Sequence, residues 1–278
     1  MIDPMKSVPA PVQAPLEING DTPTLRLFAL LEVVASKDQF FSLQSLSEET
    51  NIPKPTLHRM LQQLESAGLL ERNGDNRQYG TGVRLRKLAE NLLLNDTFYG
   101  ARHSVLRSLV NEVGESCNLT ALSGSEVMYL DRVETPAPLR FYLHSGSRVP
   151  VHCSASGKVF LAGMTPAQRQ RLLAHAPLEA FTPKTVTNLD ALEEEIKQVK
   201  RQGFALDNEE FLPGLLCVAV LVPSANGRSN LCVAVQAPVM RLTPDKALGL
   251  LPALHRAADA LSRIERDSAA PLDDRESA

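Results

Sequence analysis

The stretch IPKPTLHRMLQQLESAGLL, residues 52–70, leaves the chain little freedom. Leu57, Met60, Leu61, Leu64 and Ala67 recur at i, i+3, i+4, i+7 and i+10, one narrow apolar stripe on a short helix. The other face carries Thr56, Arg59, Gln62, Gln63 and Ser66, and Gly68 ends the pattern. Directly behind it, LLERNGDNRQYGTG reads as two short strands around an Asn-Gly turn. Ahead of it, Thr22 and Pro23 open a helix with Leu25, Phe28, Leu31 and Val34 at helical spacing. A shorter helix follows Ser42, with Leu43 and Leu46 inward. Three helices and then a hairpin are the order of a winged helix-turn-helix.

The chemistry of the third helix suits a major groove. A helix N-terminus offers unpaired N–H groups and a partial positive charge to a phosphate, and Lys54 adds to it. Arg59 can reach a guanine edge, and Gln62 or Gln63 can pair with adenine. Arg72 and Arg77, on the hairpin, can follow the backbone or enter the minor groove. The expected DNA-contacting set is Lys54, Thr56, His58, Arg59, Gln62, Gln63, Arg72 and Arg77. The net charge of −3 gives no global signal for nucleic acid, so any such surface is local. The competing reading, a plain surface helix of a small helical domain, stays open on these features.

Further along, the pattern changes once. Residues 1–20, with four prolines and no apolar period, read as a disordered arm, and 268–278 as a frayed tail. A helical segment, 83–95, with Leu85, Leu88 and Leu92 on one side, leads out of the first unit. Beyond a helix at 98–113, strands are expected at 118–123, 127–133, 139–144, 204–207, 215–222 and 230–237. Helices are expected at 156–162, 166–175 and 189–202, and from Thr243 to about Arg266. The fold class is α+β, with a mainly antiparallel sheet flanked by helices in the second domain. LCVAV occurs at 216–220 and again at 231–235, on either side of Asn226-Gly227. A two-residue turn there sets Cys217 opposite Gln236, Ala219 opposite Ala234 and Leu221 opposite Cys232, on one face, whereas a one-residue bulge would put Cys232 on the other face.

Cys117, Cys153, Cys217 and Cys232 lack metal-ligand spacing and are expected as reduced thiols. No cofactor or metal is expected. Neither is a membrane span or a secretory signal, so the chain is expected in the cytoplasm. No nucleophile elbow is present, and SASGK lacks the spacing of a phosphate loop, so an enzyme is not expected.

The run LQSLSEETNIPKPTLHRMLQQLESAGLLERNGDNRQYGTGVRLRKLA resembles the winged helix-turn-helix of the IclR family of bacterial transcriptional regulators. VMYLDRVE, VPVHCSASGKVFLA and GFALDNEEFLPGLLCVAV are similar to further marks of that family, across residues 22–266. The resemblance implies a DNA-binding domain over 21–82, a linker helix over 83–96 and a GAF-like effector domain over 97–267. It implies double-stranded operator DNA, a small effector and a second copy of the chain as partners, in a dimer or dimer of dimers. One departure is Lys54-Pro55-Thr56, where the family commonly has Lys-Ser-Thr; the proline removes a hydroxyl and an N–H, shifting phosphate binding towards Thr56.

In the second domain, HCSASGK before an apolar run puts Ala155 and Ser156 at a helix N-terminus, where amides can hold a carboxylate. The resemblance adds Asp207 and Cys217, and the strand pairing sets Gln236 beside Cys217. Phe141 and Val149 match apolar lining positions, with Leu215 beside them. The expected effector is a small organic acid, with aromatic acids among the candidates. Ser156 has a second reading as a helix cap, and Cys217 as a small buried hydrophobe, a redox sensor or a metal ligand. Lys158 is expected in solvent and His152 in a structural hydrogen bond.

Overall fold

The computed structural model describes residues 22–37, 39–73, 78–94, 99–174, 177–224 and 229–269. Contacts divide the chain into two units, Met1–Ala89 and Glu90–Ala278.

In the first unit, α1 (Pro23–Ala35) starts at Thr22, whose Oγ1 accepts the Leu25 N–H at 3.3 Å. β1 (Phe41–Ser42) leads into α2 (Leu43–Thr50), which carries a reciprocal Ser42–Ser45 capping box and ends at Asn51 in the left-handed region. α3 (Lys54–Ser66) precedes β2 (Leu70–Asn73) and β3 (Gln78–Thr81). These form an antiparallel sheet in the order β1-β3-β2, with Phe41 opposite Tyr79. Asn73 of the expected Asn-Gly turn is instead the last residue of β2, opposite Gln78, and residues 74–77 between the strands lie outside the described residues. Leu57, Leu61 and Leu64 of α3 meet Leu30, Val34, Leu46 and Leu70 in one core.

The helix α1 uses a different face from the expected one. Leu30 and Val34 are buried, with Leu27 and Leu31 packed beside them, while Phe28 is 58% exposed. The run LRLFALLEVVA holds two apolar stripes, and Leu27-Leu30-Leu31-Val34 has the complete i, i+3, i+4, i+7 spacing.

α4 (Val83–Leu94) and α5 (Tyr99–Val113) lead to β4 (Ser116–Ser123), β5 (Glu126–Val133) and β6 (Arg148–Pro150). α6 (Ala155–Gly163), α7 (Pro166–Leu173) and α8 (Leu189–Gln202) come next. β7 (Phe204–Asn208), β8 (Leu215–Leu221), β9 (Leu231–Pro238), α9 (Pro244–Gly249) and α10 (Leu251–Ala269) complete the chain. The six-stranded sheet runs β6-β5-β4-β9-β8-β7, with every recorded pairing antiparallel.

Both faces of this sheet are covered, so alternate residues enter two cores. Leu216, Val218, Val233 and Val235 pack against α5 and α10. Cys217, Ala219, Cys232 and Ala234 pack with α6 and α8. The β8–β9 register pairs Cys217 with Gln236, Ala219 with Ala234 and Leu221 with Cys232, as the repeated LCVAV predicts. Its turn lies outside the described residues.

Two expected elements differ. Residues 139–144 form no strand; the edge strand is Arg148–Pro150. Guanidinium groups take carbonyls of that segment, Arg241 from Leu139 at 2.8 Å and Arg132 from Phe141 at 2.9 Å. The final helix is two helices. Pro252 has no N–H to continue α9 and disfavours helical backbone at Leu251, so the chain breaks near Leu250. Among the described residues, no helix is long and apolar enough to cross a membrane.

Candidate functional site

In the first unit the α3 surface is the candidate contact. Pro53 precedes the helix without a side-chain cap, so its first-turn N–H groups rely on outside partners. Lys54, His58, Arg59, Gln62 and Gln63 are exposed, while Thr56 is half-buried beside the core stripe. Arg72 is engaged within the wing: it donates to the Tyr79 hydroxyl at 2.7 Å, lies 5.1 Å from that ring's centre and is 3.6 Å from Glu65. A phosphate would have to compete with those contacts. Arg77 lies outside the described residues.

In the second unit a small cavity opens at the N-terminus of α6. Ser154 is the helix cap: its Oγ accepts the Gly157 N–H at 3.3 Å. Ala155 and Ser156 therefore occupy the first turn, and both residues line the cavity. Ser156 itself is not the cap. Gly157 allows this packing, because a Cβ there would stand 2.2 Å from the Val151 carbonyl oxygen.

The sheet supplies the opposite wall. Thr120, Val127, Tyr129 and Val149 come from β4 to β6, Asp207 and Leu215 from β7 and β8, and Cys217 faces Gln236 across β8–β9. Of the eight expected effector residues, Val149, Ala155, Ser156, Asp207, Leu215, Cys217 and Gln236 line this one cavity. Phe141 does not; only its carbonyl is used, by Arg132. Thr120, Val127, Tyr129, Ser154 and Phe211 also line the cavity without having been anticipated. A serine placed before Ala155 was a readable cap signal for Ser154, whereas Phe211 depends on a loop conformation. The void measures about 10 Å³, room for one water molecule. The site is closed in this conformation.

Electrostatics separate the polar walls. Burial pushes the Asp207 carboxyl up to about 7 from 3.8, against hydrogen bonds from the Glu210 and Phe211 N–H groups at 2.8 and 3.3 Å. Burial also pushes the Cys217 thiol well up, which disfavours a thiolate sensor. Cys117, Cys153, Cys217 and Cys232 are all free and buried. Among the described residues, no group of three or more His, Cys, Asp or Glu side chains could hold a metal. His152 Nε2 meets the Glu179 carbonyl at 3.0 Å, a structural contact.

Lys158 corrects the expectation of a solvated lysine. It is 0% exposed and donates to Glu195 at 2.5 Å and Glu210 at 2.6 Å. Burial alone pulls its ammonium down, but the two carboxylates outweigh that and hold it above the ordinary lysine value. It thereby clamps α6 to the loop after β7 that carries Glu210 and Phe211, whose N–H groups hold Asp207. Thr182 and Thr185 support the same loop by donating to the Glu209 and Glu210 carbonyls at 2.7 and 2.6 Å.

Asp207 gives a pH signature. Its raised folded value contributes stability that is fully present below about 4 and is lost as pH rises through about 7. Asp207→Asn should therefore flatten the decline in melting temperature between about pH 5 and 8. Parallel curves for the variant and the parent protein would contradict this.

The model of the bacterial transcriptional regulator IclR C-terminal domain matches residues 97–263, and the IclR helix-turn-helix model matches 24–74. The chain belongs to the IclR family of transcriptional regulators. This IclR regulator is 44% identical to the "Probable transcriptional regulator SauR" of Cupriavidus necator, over 87% of this chain and 96% of that one. It is 27% identical to the transcriptional repressor IclR of Escherichia coli, over 87% and 90% of the two chains. The crystal structure of the Thermotoga maritima IclR superposes with a TM-score of 0.58 at 25% identity, over 86% and 97% of the chains. These relatives are regulators, not enzymes. The helix α3 thus lies within the family's helix-turn-helix, and the α6 cavity within its effector-binding domain.

Proposed function

We propose that this IclR regulator changes its affinity for operator DNA when a small organic acid occupies the α6 cavity. The observation that carries the reading is that Ala155 and Ser156, in the first helical turn where N–H groups lack intrahelical partners, line one closed cavity together with Val149, Phe211 and Leu215. The carboxylate binds those amides, and Val149 and Leu215 receive the remainder. Tyr129 and Phe211 give a flat or aromatic remainder a matching wall. Because the void is closed, binding separates its walls, so the acid favours an expanded arrangement over the present one.

A route outward starts at β6. Val149 lines the cavity, and its neighbour Arg148 holds Glu90 of α4 at 2.6 Å. The reading divides the chain into a DNA-binding segment at 21–82, a linker at 83–96 and an effector segment at 97–267. Val83, Leu88 and Leu92 of α4 are exposed, which supports a second copy covering them. A dimer presents two α3 helices to two half-sites.

Arg59 is assigned to base reading. Arg59→Ala should lower specific operator affinity by about 1–3 kcal/mol while binding to random duplex weakens much less. Fluorescence anisotropy on a duplex selected from a random pool checks it. Unchanged discrimination between the selected and random duplexes would reject this role.

A further inference from the structure

Beside the cavity, hydrogen-bonding capacity is left over on three buried side chains. Gln236 is 2% exposed, and its Oε1 accepts from Arg132 Nη1 at 2.7 Å. A guanidinium can only donate, so the amide is forced to present Oε1 to Arg132 and to turn Nε2 elsewhere. Nε2 has no partner, and Gln236 lines the cavity. Asn118 is 1% exposed, and neither end of its amide has a partner. It stands opposite Arg132 on β5 and Ala234 on β9, so Asn118, Arg132 and Gln236 come from three adjacent strands.

Arg132 is a buried cation with little compensation. Its side chain is 3% exposed, its Nε makes no hydrogen bond, and Glu134 approaches only to 3.9 Å. Its third contact is the Phe141 carbonyl, a neutral group. Burial pulls the guanidinium below its ordinary value, and its charge reaches Tyr129 and Cys217, two walls of the cavity. Unpaired buried donors backed by an under-compensated positive charge are complementary to an anion. A lone water would satisfy the donors and leave the charge unmatched.

We propose that Gln236 Nε2, polarised by Arg132 and flanked by Asn118, forms a second subsite of this cavity for an anionic oxygen group, making the effector a short acid with two anionic ends. This rests on the carboxylate reading above: one end lies on the α6 amides and the other on Gln236. Gln236 is the contact, and Arg132 acts through it as a positioning residue.

The test is isothermal titration of the full chain with matched acids: malonate and succinate against propionate and butyrate. At least one two-ended acid should bind tenfold or more tighter than its one-ended match. In Arg132→Gln the preference should fall below threefold, while the one-ended acids keep their affinity within threefold. Equal binding of one- and two-ended acids overturns the second subsite and leaves the carboxylate site standing. A preference that survives in Arg132→Gln also overturns it. Failure of all four acids to bind removes both proposals. If the variant does not fold, the comparison among acids on the unaltered protein still decides.

Discussion

Lys158→Met should destabilise the second unit by about 3–5 kcal/mol, because it removes one partner of a buried ion pair. The methionine fills similar volume, so the loss is electrostatic and not a cavity effect. Glu195 is partly exposed and can be solvated, but Glu210 is buried and keeps one carboxylate oxygen without a hydrogen bond even in the intact protein. Without Lys158, Glu210 has to take up a proton or draw in water. Burial already raises the Glu210 carboxyl, so the deficit should shrink as pH is lowered. Adding Glu210→Gln should recover at least about 1 kcal/mol, since the stranded charge is gone. Urea unfolding, followed at the transition of this unit, provides the measurement. A loss under about 1 kcal/mol at neutral pH would show that the clamp between α6 and the Glu210 loop is not needed.

Gly157→Ala should be comparably damaging for a different reason. Its Cβ would lie 2.2 Å from the Val151 carbonyl oxygen and 2.4 Å from the Val151 Cα, both backbone atoms. No rotamer change relieves that overlap, so α6 must shift away and carry the Ala155 and Ser156 amides with it. The expected cost is about 3 kcal/mol together with loss of acid binding. Gly163→Ala is the internal control, because a Cβ there meets nothing within 4 Å. It should be neutral or slightly stabilising. Equal stability of the two variants, by thermal or urea unfolding, would contradict the close approach at Val151.

What could be read in the sequence follows the distance over which each feature is determined. The α3 stripe, the Thr22 cap and the β8–β9 register depend on local spacing, and all three are present in the structure. A two-residue turn at Asn226-Gly227 implies Gln236 beside Cys217, and the observed β8–β9 register agrees with that choice over a bulged one. Lys158 departs from the solvated lysine its local sequence suggests because its burial is set by Glu195 and Glu210, 37 and 52 residues away. Arg132 carries no local signal of its role for the same reason, since Gln236 lies 104 positions further on. In α1 the local signal was ambiguous, and packing against Leu46 and Leu57 chose the stripe. Loop contacts such as the Arg132 hold on the Phe141 carbonyl have no periodicity to read.

The central claim joins the two units: an acid held at α6 alters DNA binding by α3. One measurement addresses it directly, the dissociation constant of the full chain for its selected duplex, titrated with small mono- and dicarboxylic acids at fixed salt and pH. Salt must be held constant because phosphate contacts make the affinity strongly salt-dependent. The account predicts that at least one acid shifts the constant tenfold or more, equivalent to a coupling of about 1.4 kcal/mol. It also predicts that random duplex, bound through phosphates alone, shows no shift of that size. If no acid in the series alters operator affinity, although the same acids bind the chain, the two sites are not coupled and the account is contradicted.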